Sequence, residues 1–512
     1  MKKILLTLFL TANVSALLAQ TETLITTNGV WTRETSDFII TTIDGEINPE
    51  LKMGETLSGT ENHERFGRYA AMSTDGKTIA ISSSHWGSPS VGKIQVFKYD
   101  GTNWNQLGNS IIGNEQYDLA NSEISISGDG NVIAFVARKP NWINHVRVYS
   151  WNNTDWIRMG DDVGLESEVT KVSLNEDGSI LATGASGYGN FRGQVRIYEW
   201  DGIFWSQKGQ NINGESAYGE SGSSISVSSS GNRIAIGAPR NDVNSGDRFN
   251  YSGHVRIFDW NSNSNDWIQA GIDIDGPLEN ALFGYSVSLS RDGSGLAVSY
   301  KEDFPYVDPN NPHTSLARGM TDLYFEHQSL GNWTKFSTTI EGAYTSVGAG
   351  LSPPKINFVK VADDKYRLFT NYDANTTNDI DTAIYDVYSA DFIVSPIFKE
   401  QLLGSGFYAF SSISSDGQKI ALFKNDVDSN RGAVEVFDFK DIGITRNLDT
   451  DDTDEALVSS TLFSVSNGYA EIIQILEQST NLTVDSWTTN RFVTNSVPID
   501  SDAAFFRFRL ID

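Results

Sequence analysis

The chain has no cysteine in 512 residues. That excludes disulfides, thiolate metal sites, a cysteine nucleophile and a lipid-modified N-terminal cysteine. Basic residues are scarce as well: 38 Lys and Arg stand against 65 Asp and Glu, a formal charge of −27 at pH 7. Nucleic acid and anionic lipid are held by Lys/Arg patches, so neither is expected as a partner. Long apolar runs are missing, and no stretch approaches the roughly 20 apolar residues of a spanning helix. The six histidines (His63, His85, His145, His254, His313, His327) are scattered, with no pair at i, i+4 metal-ligand spacing. There is no phosphate loop and no Gly-x-Ser-x-Gly elbow.

What is present begins with a leader. Lys2-Lys3, the apolar run Ile4 to Leu10 and the small residues around Val14-Ser15-Ala16 and Ala19 predict an export signal over 1–19. The rest is then expected to be secreted or displayed at a bacterial cell surface, with 20–50 as an N-terminal segment.

From there a pattern repeats seven times. A turn recurs at Asp75-Gly76, Asp129-Gly130, Asp177-Gly178, Ser230-Gly231, Asp292-Gly293, Asp363-Asp364 and Asp416-Gly417, at spacings of 54, 48, 53, 62, 71 and 53 residues. Asp-Gly between apolar runs predicts a hairpin, because Gly supplies the positive φ of a primed turn. The strand before the turn alternates Ser with apolar residues, as in Ser224-Ile225-Ser226-Val227-Ser228. The strand after it is continuously apolar, as in Val132-Ile133-Ala134-Phe135-Val136, which suits a strand covered on both faces. A third strand follows (Val146-Arg147-Val148-Tyr149, Val255-Arg256-Ile257-Phe258), and a fourth carries Trp104, Trp156, Trp205, Trp267 or Trp333.

Seven units of four strands predict an all-β fold, a seven-bladed β-propeller of four-stranded antiparallel blades over 51–447. Serine suits the first strand sterically, since blades crowd at the central channel. The Trp is expected to pack between blades near the outer strand, with its N–H reaching solvent. The seventh copy ends near Phe439 without a Trp strand, while Leu51 to Gly59 matches the tail of a fourth strand. Residues 51–59 are therefore expected to complete the last blade and close the ring.

These residues resemble the FG-GAP repeats of integrin-α-type propellers, as found in repetitive surface or secreted proteins of marine bacteria. Phe66-Gly67 and Phe283-Gly284 stand at the FG position, and Gly237-Ala238-Pro239 spells the GAP. The resemblance implies calcium in an Asp-x-Asp-x-Asp-Gly loop. Here only the final Asp-Gly is kept, and Asn175-Glu176-Asp177 is the most acidic copy. One or two carboxylates fall short of the 6–8 oxygens calcium takes, so those metal sites are not carried over.

Residues 448–456 read as an acidic linker. Asp449, Asp451, Asp452 and Asp454 are closely spaced enough to suggest calcium, but the loop lacks the Gly of a tight wrap, so no cofactor is expected. Residues 457–512 predict a small C-terminal β-sandwich-like module with strands at Ala470–Ile475 and Phe505–Leu510, resembling modules appended to exported planctomycete and verrucomicrobial proteins. It lacks the basic, Gly-marked tail of a type IX sorting signal.

Repetition explains the serines and the tryptophans, so function is sought where copies differ, in the loops between second and third strands. Trp86, Phe249, Tyr251, Phe304 and Tyr306 beside Asp242, Asp247, Asp303 and Asp308 suit stacking on a sugar or contact with a protein. The leading expectation is a monomeric, non-enzymatic binding or adhesion protein engaging an extracellular glycan or protein through the long-loop face. A polysaccharide hydrolase or lyase using two carboxylates about 5–10 Å apart is the alternative, and a structural spacer or matrix protein the third reading. His145 and His254 occupy matching positions before the third strand and are read as structural.

Overall fold

The computed structural model describes residues 51–438, apart from loop segments of which 242–250 and 305–314 are the longest, and strands in the flanking sequence. Two compact units result, Pro49–Lys440 and a second built from Met1–Asn48 and Asp441–Asp512. In the second, Leu24–Thr27 pairs with Val30–Arg33, and Ala456–Ser466, Tyr469–Ser479 and Trp487–Pro498 make one three-stranded antiparallel sheet. The expected strand at 505–510 and the acidic residues 449–454 lie outside the described residues.

The first unit is the propeller. Each blade is a meander whose strands we letter a to d from the channel outward. Blade 1 is Phe66–Met72, Thr78–Ser83, Lys93–Tyr99 and Trp104–Gln106, and blade 4 is Ser224–Val227, Arg233–Ala238, His254–Asn261 and Asp266–Gln269. The a strands of all seven blades neighbour one another in a closed cycle. Blade 7 takes its d strand from the other end of the unit: Leu57–Ser58 pairs with Val434 and Ala433, and Lys52 bridges Phe437.

An a strand has a free inner edge whose N–H groups need partners. The serines supply them. The backbone N–H of Leu174 donates to Ser125 Oγ of the preceding blade (2.9 Å), Leu289 to Ser226 (3.0 Å) and Phe358 to Ser288 (2.8 Å). Serine at these positions is therefore an inter-blade acceptor as well as a small side chain.

The a–b turns differ from the primed hairpin expected. Gly76 has φ +64°, but Asp75 is not left-handed, and Gly76 N–H donates to the Ser73 carbonyl (2.9 Å) inside a Ser73–Thr78 pair. This is a type I turn ending in a left-handed glycine. The Asp is consumed within it: Asp75 Oδ1 accepts from Ser73 Oγ (2.7 Å) and Lys77 N (2.9 Å). Asp129 and Asp292 do the same, and Ser414 donates to Asp416. The carboxylate stabilises its own turn as an Asx acceptor.

The tryptophans also depart from expectation. Four of the five rings, Trp104, Trp156, Trp205 and Trp267, pack between blades and direct the N–H to a carbonyl of the preceding blade instead of solvent, whereas the buried Trp333 Nε1 has no hydrogen-bond partner. Trp104 Nε1 donates to Met53 O (2.7 Å), Trp156 to Leu107 (2.8 Å), Trp205 to Met159 (3.1 Å) and Trp267 to Lys208 (2.9 Å). The residue after each acceptor is a glycine. Gly108 has φ +72° and lies against Trp151 and Trp156, where a β-carbon would collide with the indole of Trp151.

Candidate functional site

Loops between strands b and c lie at the same end of the ring as the connectors entering the next blade, because they hydrogen-bond to each other. Tyr117 N donates to Ser90 O (2.9 Å), Ser221 N to Arg192 O (3.1 Å) and Phe283 N to Ser252 O (2.9 Å). The a–b turns occupy the opposite end. There the Glu176 carboxylate accepts from Thr74 Oγ1 (3.0 Å) and pairs with the Arg291 guanidinium, tying blades 3, 1 and 5 together across the channel. The channel cavity, about 290 Å³, is lined mainly by small and apolar residues from all seven a strands, and Glu176 is the one carboxylate among its described lining residues.

The described candidate residues do not converge. Trp86, in blade 1, stacks over Lys93 Nζ at 4.9 Å. Lys93 is buried and paired with fully buried Glu64 (2.9 Å), which also accepts from Ser83 Oγ (2.7 Å). Burial acts to raise the Glu64 carboxyl pKa, but the Ser83 hydrogen bond and Lys93 prevail and hold it below the usual range. Trp86 thus caps a structural ion pair. Asp303 is exposed and paired with Lys301 (2.5 Å) on a hairpin arm. Residues 301–304 are strand rather than loop, with Asp303 opposite Ala317 and Phe304 opposite Leu316. Asp242, Asp247, Phe249, Tyr306 and Asp308 lie outside the described residues.

Tyr251 belongs to a more developed surface between blades 3 and 4. The Arg240 guanidinium lies over its ring at 5.6 Å and pairs with Glu220 at 3.0 Å. Burial pushes the Glu220 carboxyl upward against the pull of Arg240. Beside them, Phe191 and Tyr218 stack with centroids 6.2 Å apart and planes at 15°, yet are 51% and 54% exposed; Tyr188 adds a third exposed ring. Two backbone bonds fix this pair, Tyr218 N to Asn190 O (3.1 Å) and Glu220 N to Phe191 O (2.8 Å). The Tyr188–Phe191 turn is left-handed at Gly189 (φ 61°) and Asn190 (φ 59°).

Sequence reading missed Tyr188, Phe191 and Tyr218 because it followed loop length. The signal was composition: Gly187-Tyr-Gly-Asn-Phe-Arg-Gly193 sets two aromatic residues between glycines in a short loop.

Beneath this surface lies a polar group at the start of strand c. His254 is buried, and Asn241 Nδ2 lies 2.8 Å from its Nδ1. Glu215 Oε2 is 3.8 Å and Asp273 Oδ2 4.0 Å from the same nitrogen. Burial first, and then Arg256, hold the imidazole down to about 4, so it is neutral at pH 7. The Asp275 carboxyl is pushed up by burial and by the charge of Asp273.

His145 stands at the equivalent place in blade 2, with Nε2 3.3 Å from Asp162 Oδ2. Burial lowers its pKa, with Asp162 opposing and Arg147 and Lys139 reinforcing. Protonation is thus disfavoured in the folded chain but occurs near 6.5 when it unfolds. The stability this supports is complete above about pH 6.5 and declines as pH falls below it. Thermal melts at pH 7.5 and 5.5 should show a larger drop for the parent chain than for His145→Gln; equal drops would show that His145 does not carry the effect.

No protein-family model and no curated protein matches the sequence. Among solved structures, the chain is similar to a chain of Kuenenia stuttgartiensis hydrazine synthase (12% identity, TM-score 0.46, covering 73% of this chain and 96% of that one). It is also similar to the β-propeller domain of the Trilobed protease from Pyrococcus furiosus (14%, 0.42, 72% and 96%) and to TolB from Acinetobacter baumannii (18%, 0.32, 54% and 54%). The seven-bladed assignment rests on the strand pairing above. Among the described residues no helix is long and apolar enough to cross a membrane.

Proposed function

We propose that this chain is a secreted or cell-surface binding protein of FG-GAP-like type, engaging an extracellular glycan or protein through the b–c loop face between blades 3 and 4. The observation that carries the reading is the exposed Phe191–Tyr218 stack, held by backbone hydrogen bonds on a rigid scaffold. Exposed aromatic rings contribute binding area at little entropic cost, since their loops are already ordered. Tyr188, Tyr251, Arg240 and Glu220 extend the surface with polar contacts. The leader pattern supports export.

A glycan array and a pull-down from native envelope test the reading. The ligand so found should bind Phe191→Ala and Tyr218→Ala at least about tenfold more weakly, as for a contact worth about 1.4 kcal/mol. Unchanged affinity in both variants, or no ligand from either screen, would overturn it. Among the described residues the channel gives the hydrolase alternative no carboxylate pair: Glu176 is held by Arg291 and no second described carboxylate lines the cavity.

A further inference from the structure

We propose that Glu215, His254 and Asp273 form a binding site for a first-row divalent cation of the zinc class at the loop end of blade 4. Their ligand atoms all lie within 4.8 Å of one another. One imidazole nitrogen with two carboxylate oxygens is a zinc donor set, with bonds near 2.0–2.2 Å and a further position open to water or substrate. Bond lengths of that size need ligand atoms about 3.5 Å apart, so the group has only to tighten slightly. Glu215 and Asp273 are partly exposed side chains that can move towards an ion, whereas the buried imidazole provides the fixed point.

Comparison between blades separates this group from the repeat architecture. His145 and Asp162 stand at the same two positions in blade 2, but Asn114 occupies the place of Glu215. There Asp162 is also claimed by Arg158 and by Arg147 (3.6 Å). Blade 3 has Gln194 and Asn211 at those positions. In blade 4 the Arg158 position is Gln269, whose amide donates to Asp273 Oδ1 (2.6 Å) and leaves Oδ2 towards the imidazole. No Lys or Arg among the described residues comes within ion-pair distance of Asp273. Arg256 reaches Glu215 at 3.5 Å, one cation against Glu215, Asp273 and the neighbouring Asp275.

Asn241 completes the arrangement. Its Nδ2 faces His254 Nδ1, and its Oδ1 accepts from Ser216 Oγ at 2.5 Å. Reversal of the amide would turn Oδ1 into the site as a fourth ligand atom, the third oxygen, and let Nδ2 donate to Ser216. One neutral side chain thus fits both the empty and the loaded state. Nothing in this site depends on the glycan or protein reading above.

The test is calorimetric titration of the full chain with Zn²⁺ alone, with Ca²⁺ and Mg²⁺ in parallel, beside thermal melts with and without Zn²⁺. One equivalent of Zn²⁺ should bind and raise the melting temperature, with at least tenfold weaker responses to Ca²⁺ and Mg²⁺. Glu215→Gln and Asp273→Asn, both at partly exposed positions and expected to fold, should each weaken Zn²⁺ binding at least tenfold. His145→Gln in blade 2 should leave it unchanged. Absence of Zn²⁺ binding by the folded parent would overturn the proposal. So would binding that survives both carboxylate substitutions, or that is lost with His145.

Discussion

Trp156→Ala should destabilise the propeller by about 3–5 kcal/mol, the usual cost of removing a buried large aromatic side chain. Trp156 is 6% exposed, packs on Trp151 with centroids 5.6 Å apart, and donates to Leu107 O of the preceding blade. Truncation therefore opens a cavity between blades 1 and 2 and leaves a carbonyl unpaired. Trp156→Phe separates the two contributions, because it keeps much of the ring area but loses the N–H, worth about 1 kcal/mol. Urea unfolding should rank the parent above Trp156→Phe and Trp156→Ala last. If the two variants were equally stable, the hydrogen bond rather than the packing would carry the role. If neither differed from the parent, the inter-blade contact would contribute nothing.

Opening the ring should have the larger effect. Met53 and Leu57 are buried with Phe66, Trp104, Val434 and Val436, so one short segment seals blade 7 against blade 1. Met53 N–H donates to Val436 O (2.7 Å), and Met53 O receives the Trp104 indole N–H. Proline at 53 removes the donor, and at 57 it distorts a paired strand. The double variant Met53→Pro/Leu57→Pro should lose about 5 kcal/mol or more, since each buried truncation alone costs about 2–5 kcal/mol. Release of this segment also exposes the edge of Ala433–Asp438, a template for pairing between chains. Limited proteolysis should cut ahead of residue 60, and light scattering should show association on mild heating. A double variant as protease-resistant as the parent would show that the ring does not depend on this seal.

Much of the propeller was legible because each blade is a local meander. Period-two alternation, a turn glycine and a Trp at fixed offsets are properties of neighbouring residues, so they survive in one dimension. The partners of those residues were not legible. Ser226 accepts from Leu289 and Trp267 donates to Lys208 only because blades are stacked side by side. The Asp of each turn resembled a remnant calcium ligand in sequence, while the fold shows it hydrogen-bonded within its own turn.

The candidate site was the least legible part. Loop length pointed to Trp86 and to 301–311, yet Trp86 caps the Glu64–Lys93 pair and the strand runs on through Phe304. Phe191 and Tyr218 are separated by a whole c–d hairpin, and no periodicity relates them. His254 was noted for matching His145, but its carboxylates were not. One signal was available: the sixth residue after each recurrent Trp is Ser110, Asp162, Asn211, Asp273 and Thr339, an acidic residue only in the two histidine blades.

By itself the sequence determined an all-β, sevenfold array with no thiol chemistry and a strongly acidic character, since repetition and composition need no third dimension. Only the tertiary structure decided which exposed rings stand together and which carboxylates face an imidazole. Those contacts join residues about 20–40 positions apart in different strands and connectors, brought together by the closure of neighbouring blades.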